Sequence, residues 1–288
     1  MPTTANGQAT TSTTGMVEVP WNLVVPTVDV HVVGCGNRFP NDFTLEMLAV
    51  LRQCTRRFGV PPLRAPEFGI PDMESLMHLY GPDKPRHQTY REMLDTVLTA
   101  AAAEPPVAFV TYGSAMVGTF VAHRILEETA KRGMTAHVTN AVSCFDGIWA
   151  DLNLEPFYGI EIWEASGFVR LDIHPNTAAN LLLPQAPMFD IPVGPDPDRL
   201  TMATSTSITE LRDHLMRFYP ADHTVHYVKT GSGAGPHLVG ADIETITLAD
   251  LNHPGRQQAS TLFVPRLPTS TLKRFDFTSP ATAATQPN

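Results

Sequence analysis

The sequence has little positive charge, few cysteines and no long apolar run, and each shortage excludes a class of protein. Its 20 Lys and Arg residues are outnumbered by 29 Asp and Glu residues, which gives a formal net charge of -9. Because a nucleic-acid groove needs clustered cations against the phosphates, we expect no nucleic-acid partner. No apolar run approaches the about 20 residues that cross a bilayer, so we expect no membrane partner.

The three cysteines, Cys35, Cys54 and Cys144, are widely spaced. Their number and spacing provide neither a disulfide framework nor a CxxC metal site, so reduced thiols and no bound metal are expected. The first residues also lack the basic start and the apolar core of a secretory signal. These observations predict a cytoplasmic protein.

The length and the hydrophobic pattern predict two α/β domains. At 288 residues the chain is longer than a usual single core. Short apolar strands alternate with amphipathic helices, which is typical of a parallel sheet. We predict an N-terminal α/β domain over residues 25–140 and a C-terminal one over 141–272. Residues 1–24 and 273–288 are rich in Thr, Ala and Pro and are predicted to be disordered tails.

Apolar periodicity also locates the elements. In the N-terminal half we predict strands over 28–33, 107–112 and 136–138 and helices over 44–55, 90–103 and 119–132. In the C-terminal half we predict helices over 143–152 and 207–218 and strands over 160–163, 180–183, 224–228, 243–247 and 261–264. The Pro-rich segment 184–197 is long enough to be a lid or an interface.

Two glycine-rich segments are weak signals for ligand binding. The run Val33-Gly-Cys-Gly36 follows a predicted strand, where glycine allows a tight turn and a close ligand. It is not a full GxGxxG motif and lacks the acidic partner, so dinucleotide binding is not predicted. The run from Gly231 to Gly235 has no amphipathic helix after it and is interpreted as a turn between strands.

The segment 80–90 is the most informative candidate for chemistry. It places Arg86 between Tyr80 and Tyr90, just ahead of an apolar helix. A neighbouring cation lowers the pKa of a phenol from about 10, which could create a strong base. Spacing alone also fits two tyrosines packed at a core edge and a solvated arginine. A possible metal pair, His223 and His226, lacks further ligands at a known spacing, so a structural role is predicted for both.

Five segments together resemble a known family. The pieces VGCGNRFPNDFTLEML, YGPDKPRHQTY, VTYGSAMVG, AVSCFDGIWADL and STLFVPRLP stand in the order seen in the tetrapyrrole methylase superfamily. The Tyr-x5-Arg-x3-Tyr spacing makes them most similar to its borosin branch, which comprises peptide backbone α-N-methyltransferases. The resemblance extends from about Val28 to Pro268. This sequence differs from the family pattern in two places. Met77 replaces an expected Tyr, and Tyr-Gly-Ser-Ala replaces a common Tyr-Gly-His-Pro turn.

This resemblance implies an S-adenosylmethionine-dependent methyltransferase with its cofactor in a cleft between the two domains. It implies a homodimer and catalytic roles for Tyr80, Arg86 and Tyr90. The residues that it places around the cofactor are Tyr112, Gly113, Ser114, Met116, Val117, Ser143, Cys144, Gln185 and Ala186.

The chemistry of an amide agrees with this hypothesis. An amide nitrogen is a poor nucleophile because its lone pair is delocalised into the carbonyl, so its proton must be removed. We expect one of the two tyrosines to act as the base and the other to orient the amide. The C-terminal residues lack an apolar run, so a separate peptide substrate, methylated in trans, is expected. The alternatives are C- or O-methylation of a small molecule or tetrapyrrole, and a scaffold that binds the cofactor without catalysis.

Overall fold

The computed structural model describes residues 23–60, 63–81, 84–186, 205–251 and 260–268. The predicted tails, apart from residues 23 and 24, and the segment 184–197 beyond residue 186 lie outside this part. Twelve strands are described: β1 (Val30–Gly34), β2 (Arg38–Phe39), β3 (Arg56–Val60), β4 (Glu74–Ser75), β5 (Val107–Thr111), β6 (Ala136–Val138), β7 (Ile160–Ile162), β8 (Asn180–Pro184), β9 (Thr224–Lys229), β10 (Gly233–Ala234), β11 (Asp242–Thr247) and β12 (Thr261–Val264). Six α-helices accompany them: α1 (Leu45–Gln53), α2 (Arg86–Ala103), α3 (Phe120–Lys131), α4 (Cys144–Asp151), α5 (Ala165–Arg170) and α6 (Ser205–Leu215).

The first sheet has the strand order β4-β3-β5-β1-β6, and every pair in it is parallel. Its central strands β1 and β5 are buried along their whole length because helices cover both faces of the sheet. Val30 and Val32 face the core formed with α2 and α3, whereas Val33 faces the core formed with α1. This alternation is the period of two that a strand imposes on its side chains.

The second sheet has the order β11-β9-β12-β8-β7 and is mostly antiparallel. Only β7 and β8 pair in parallel in it. Leu181 and Leu183 of β8 pack against α5 and α6, whereas Leu182 between them packs against Ile148 of α4 on the other face. Both sheets are therefore covered by helices, and the predicted α/β fold class is confirmed. The parallel arrangement belongs mainly to the first sheet.

The two sheets are joined by a short pair of strands. β2, between β1 and α1, pairs in parallel with β10, which lies between β9 and β11. The hydroxyl group of Thr230, at the end of β9, donates a hydrogen bond to Asp151 of α4 at 2.7 Å. The glycine run from Gly231 to Gly235 thus lies between two strands as predicted, and it also contributes a strand of its own.

Some elements differ from the sequence prediction. α2 begins at Arg86 and not at Tyr90, directly after Pro85, whose φ of -59° suits the entry to a helix. β3 was not predicted because its sequence begins with two arginines. The buried guanidinium of Arg57 donates to the carbonyl groups of Leu51 and Cys54, and these hydrogen bonds allow a charged residue inside the sheet. No helix in the described part is long and apolar enough to cross a membrane.

Candidate functional site

The segments singled out in the sequence meet at one edge of the first sheet. Parallel strands end at the same edge, and the register pairs Gly34 of β1 with Thr111 of β5. The segments that follow β1, β4, β5 and β6 therefore leave the sheet on the same side. They are the glycine run after β1, the tyrosine-containing segment after β4, the turn of residues 112–117 after β5 and the start of α4 after β6. The parallel topology brings together residues that are far apart in the chain.

The segments after β1 and β5 are bonded to each other through their backbones. The amide of Gly36 donates to the carbonyl oxygen of Gly113 at 3.1 Å, and the amide of Gly113 donates to that of Gly36 at 2.6 Å. Both residues have a left-handed φ, 73° and 61° respectively. A Cβ at Gly34 would lie 2.5 Å from the Gly113 oxygen. Glycine is therefore required for this close approach, which fixes the 112–117 turn against the first strand.

The segment after β4 is held against α2 by a carbonyl group. The carbonyl oxygen of Leu79 accepts hydrogen bonds from Nζ of Lys84 at 2.7 Å and from Oγ1 of Thr89 at 3.3 Å. Lys84 is also paired with Glu92. Tyr80 and Tyr90 both pack against the core between the first sheet and α2. The loop and the helix are thus fixed relative to each other, and their tyrosines meet.

Tyr80, Arg86, Tyr90 and Tyr112 form a group that we call the tyrosine cluster. The side chains of Tyr80 and Tyr90 are joined by a hydrogen bond, and Arg86 and Tyr112 lie within electrostatic reach of Tyr80. Tyr112 also interacts with Tyr90, Arg86 and Cys144. The structure therefore brings the three expected catalytic side chains together and places Tyr112, from the 112–117 turn, beside them.

Burial dominates the protonation of Tyr80. Burial, together with the neighbouring Tyr90, raises the pKa of Tyr80 to about 12, and the opposing effect of Arg86 is smaller. Arg86 does lower the pKa of Tyr80, but burial and Tyr90 raise it by more. The sequence hypothesis of a phenol pKa lowered by the arginine is therefore not supported for Tyr80. The hydrogen bond to Tyr90 also raises the pKa of Tyr80, as expected when Tyr80 is the donor. Because its pKa is raised, Tyr80 keeps its proton at neutral pH.

Tyr112 lies in a concave part of the surface. Its side chain is 62% exposed, yet protein surrounds its hydroxyl group closely enough that burial raises the pKa of Tyr112. Burial also raises the pKa of the Cys144 thiol, although the backbone amides at the start of α4 oppose this. An exposed ring with a crowded hydroxyl group is typical of a residue that lines a cleft. We therefore infer that the turn and the start of α4 are two walls of the expected cleft.

The start of α4 is rigid because Ser143 and Asp146 form a capping box. The amide of Asp146 donates to Oγ of Ser143 at 3.3 Å, and the amide of Ser143 donates to Oδ2 of Asp146 at 2.6 Å. This pattern places Cys144 in the first helical turn. The capping box therefore fixes the local geometry of Ser143 and Cys144, and Cys144 lies near Tyr112.

The other expected cofactor residues fall in two places. In the 112–117 turn, the amide of Val117 donates to the carbonyl oxygen of Ser114 at 3.0 Å, and Met116 is partly exposed. Gln185 follows β8 with a left-handed φ of 63°, and Ala186 is fully buried in the core of the second sheet. Ala186 is buried as a whole residue, whereas Gln185 is exposed, so only Gln185 of this pair is open to a ligand.

Two features of the site were missed in the sequence. The ring of Phe120, the first residue of α3, is stacked on that of Tyr90 with centroids 5.7 Å apart, while the residue remains 56% exposed. The carboxylate of Asp42 is buried beside Gly36. The side chain of Thr44, and not that of Asp42, caps α1. No sequence pattern identifies either feature, because both depend on contacts between distant segments.

Other candidates have structural roles. The His223 ring contacts the carbonyl oxygen of Pro265 at 2.8 Å, and the His226 ring contacts the Thr245 hydroxyl at 2.9 Å. Trp149 packs in the core of the second sheet, and Trp163 is 38% exposed. The sequence interpretation of the two histidines as strand and turn residues agrees with these contacts.

The groups around Tyr112 fit S-adenosylmethionine in their chemistry. Tyr112 is exposed and offers the apolar face of its ring. The backbone amides of Cys144 and Phe145, at the start of α4, lie at the Cys144 thiol close to Tyr112 and are polar groups that a ligand can use. Gly36 and Gly113 are buried and bonded to each other, so they position the turn and do not offer polar groups to a ligand.

Comparison with known proteins locates the chain in a family. The family model described as tetrapyrrole (corrin/porphyrin) methylases matches residues 29–247. Over 203 residues, or 68% of this chain, the sequence is 27% identical to a methyltransferase and ribosomally synthesized type III borosin cyclic peptide precursor from Anomoporia bombycina. It is 29% identical, also over 203 residues, to a methyltransferase and cyclic peptide dendrothelin A precursor from Dendrothele bispora. The aligned parts are 23% and 48% of those proteins, so the chain spans half of their length or less.

A solved structure supports the same fold. The uroporphyrin-III-C-methyltransferase of Thermus thermophilus superposes with a TM-score of 0.56 at 14% sequence identity. The superposition covers 82% of this chain and 91% of that protein. At this identity the similarity concerns the fold alone.

Proposed function

The chain belongs to the tetrapyrrole methylase family, so its described part is a methyltransferase domain, and from this premise we propose that the protein methylates backbone amide nitrogens of a peptide. The observation that carries the proposal is the tyrosine cluster. Two hydrogen-bonded phenols, an arginine and the ring of Tyr112 lie beside the 112–117 turn. This arrangement suits removal of a proton from a weak acid more than it suits binding of a large anionic ring.

We assign the methyl donor to the cleft beside that turn. S-Adenosylmethionine supplies an electrophilic methyl group on a positively charged sulfur. Residues 112–117, Ser143 and Cys144 would hold it on one side, and Gln185, which the buried Ala186 anchors to the core, on the other. The backbone amides at the start of α4 provide polar groups, and the mutually bonded Gly36 and Gly113 keep the turn in its position.

The tyrosines have different roles in this proposal. Tyr80, whose pKa burial raises to about 12, keeps its proton and can donate a hydrogen bond to the amide oxygen. When the amide binds, the Tyr80 hydroxyl group turns from Tyr90 to the amide oxygen, and Tyr90, which has lost its own proton to solvent beside Arg86, is the base. Its phenolate takes the N–H proton, and the nitrogen lone pair then forms the new N–C bond to the methyl group. Arg86 stabilises the negative charge while it is shared between phenolate and amide.

The relatives support a peptide as the substrate class. The two proteins compared above are named as methyltransferases joined to ribosomally synthesized cyclic peptide precursors. We propose that this protein acts in a peptide natural-product pathway. Methylation of a separate peptide in trans stays a prediction, as do the homodimer and the division into domains near residue 140.

The decisive experiment combines cofactor binding with mass spectrometry. The purified full chain is titrated with S-adenosylmethionine by calorimetry and then incubated with Val-, Ile- and Leu-rich peptides. Tandem mass spectra should place added methyl groups on backbone nitrogens of the peptide. Methyl groups on the chain itself would overturn the prediction of transfer in trans. Methylation of a porphyrinogen and of no peptide, or binding without any transfer, would overturn the proposed function.

Substitution of the two tyrosines tests their roles. We expect Tyr90→Phe to lower kcat by about 10²–10⁴-fold, the usual contribution of a general base, and Tyr80→Phe to lower it less. Cofactor affinity should stay within about threefold in both, because neither hydroxyl group is assigned to it. Tyr158→Phe, at a 66% exposed tyrosine elsewhere, is the matched control. Unchanged kcat in both cluster variants would remove the tyrosines from the mechanism.

A further inference from the structure

A buried carboxylate lies directly behind the glycine contact of the site. The side chain of Asp42 is 1% exposed, and it accepts four hydrogen bonds. Oδ2 accepts from the backbone amides of Asn37 and Arg38, both at 3.0 Å. Oδ1 accepts from Nε and Nη2 of Arg38, at 3.0 and 2.8 Å. A single carboxylate thus determines the backbone conformation of residues 37 and 38.

The chain around Asp42 has no room to relax. A Cβ at Gly36 would lie 2.2 Å from the Asp42 Cβ, and Gly36 already has a left-handed φ of 73°. Burial by itself would raise the pKa of Asp42, but the hydrogen bonds from Arg38 and the two backbone amides outweigh it and lower the pKa. The Asp42 carboxylate is therefore a stable anion, and removal of any of its hydrogen-bond donors would cost free energy.

The segment that Asp42 fixes contacts both halves of the molecule. On one side, Gly36 exchanges two backbone hydrogen bonds with Gly113 of the 112–117 turn. On the other, the carbonyl oxygen of Asn37 accepts from the amide of Gly233 at 3.1 Å, and β2 pairs with β10. We call residues 36–39 together with 233 and 234 the clasp. Any shift of residues 36–38 is transmitted to Gly113 through backbone bonds.

We propose that Asp42 is a positioning residue for the methyl donor, acting by holding the clasp and through it the 112–117 turn. This inference rests on the proposed function, which places the donor at that turn. Asp42 itself is buried and does not touch the ligand. Its effect should therefore appear in the affinity for the donor and not in the chemical step.

The test is the affinity of Asp42→Asn for S-adenosylmethionine, measured by calorimetry on the full chain. An amide of the same size cannot accept at both atoms, so the two pairs of hydrogen bonds cannot all be retained. We expect the Kd and the KM for the donor to rise by about 10–100-fold, because bonds to a charged group are lost. The kcat at saturating donor should stay within about threefold. Asp250→Asn, at an exposed carboxylate that accepts from Thr247, is the matched control.

A second variant keeps the test decisive if Asp42→Asn does not fold. Arg38→Met removes the side-chain donors and leaves the two backbone bonds to Asp42, so we expect a rise in Kd of about three- to tenfold. Thermal unfolding of each variant without ligand gives the folded fraction. Wild-type affinity in the folded variants, or a loss of kcat with unchanged KM, would overturn the inference and leave the proposed function standing. If the wild type binds no donor, both proposals fall.

Discussion

Burial controls the protonation of single residues in this protein, and His31 shows it apart from the site. His31 lies in β1 opposite His137 of β6, and the two rings meet edge to face with centroids 5.7 Å apart. Nδ1 of His31 has no hydrogen-bond partner in the described part of the chain. Burial and then the neighbouring His137 lower the pKa of His31 to about 4, against a smaller opposing effect of Glu46.

We predict from this that the fold loses stability in mild acid. The unfolded chain binds a proton at His31 near its ordinary pKa of 6.5, whereas the folded chain does so only near 4. The neutral His31 ring therefore makes its full contribution to the free energy of unfolding above pH 6.5. This contribution is lost as the pH falls towards 4. The loss should be on the order of 3 kcal/mol.

Chemical denaturation of the wild type and of His31→Leu across this pH range measures the effect. Leucine cannot be protonated, and it removes a ring nitrogen that has no partner, so the variant should show a flatter dependence of unfolding free energy on pH. Parallel curves for the two proteins would show that His31 does not cause the acid sensitivity. His137 and Glu46 are unchanged in this comparison, so their own titration contributes to both curves.

At the level of elements, the helices differ in whether a side chain caps their first turn. Ser143 caps α4 through a capping box, whereas Thr119 precedes α3 without a side-chain bond to the helix amides. Both residues stand at the ends of segments that line the cleft. The two helices thus offer a comparison between a bonded cap and one without such a bond.

Substitution of the cap should destabilise α4 selectively. We expect Ser143→Ala to lower the free energy of unfolding by about 1 kcal/mol, since an orphan amide loses its partner and the Asp146 side chain loses one donor. Thr119→Ala, the matched control, should stay within about 0.5 kcal/mol. Denaturation is measured without the methyl donor so that ligand binding does not contribute. Equal losses in the two variants would contradict the assigned role of the capping box.

At the level of the whole molecule, the clasp connects the two halves of the chain. It pairs β2 with β10, and just before it the hydroxyl group of Thr230 binds Asp151 of α4, which packs on the second sheet. Gly233 has a φ of 113°, and a Cβ there would lie 2.3 Å from the carbonyl oxygen of His237. The pairing of the two halves therefore depends on a residue without a side chain.

Gly233→Ala should open the clasp. We expect it to lower the unfolding free energy by about 1–3 kcal/mol, through strain at a positive φ. Gly240→Ala, in the same loop with nothing within 4 Å of the new Cβ, is the matched control and should stay within about 0.5 kcal/mol. Affinity for S-adenosylmethionine should fall in the first variant only. Equal affinity in the two variants would show that the clasp does not support the site.

Much of this architecture can be predicted from short stretches of the sequence. The strands 136–138 and 261–264 begin and end where predicted, and most other elements agree within a few residues, because apolar periodicity and turn residues act over short distances. The family resemblance is confirmed for the same reason, since its motifs are contiguous strings. β3 was missed because the partners of its buried Arg57 are set by packing.

The amino-acid sequence by itself thus determined the strands, the helices and the candidate side chains, as these depend on neighbours along the chain. Only the tertiary structure decided that the segments after β1, β4, β5 and β6 leave the first sheet at the same edge, where Tyr80, Tyr90 and Tyr112 meet. It also decided that the pKa of Tyr80 is raised and which groups donate hydrogen bonds to Asp42. Burial and hydrogen bonding between distant segments exist only after the chain has folded, and no local pattern encodes them.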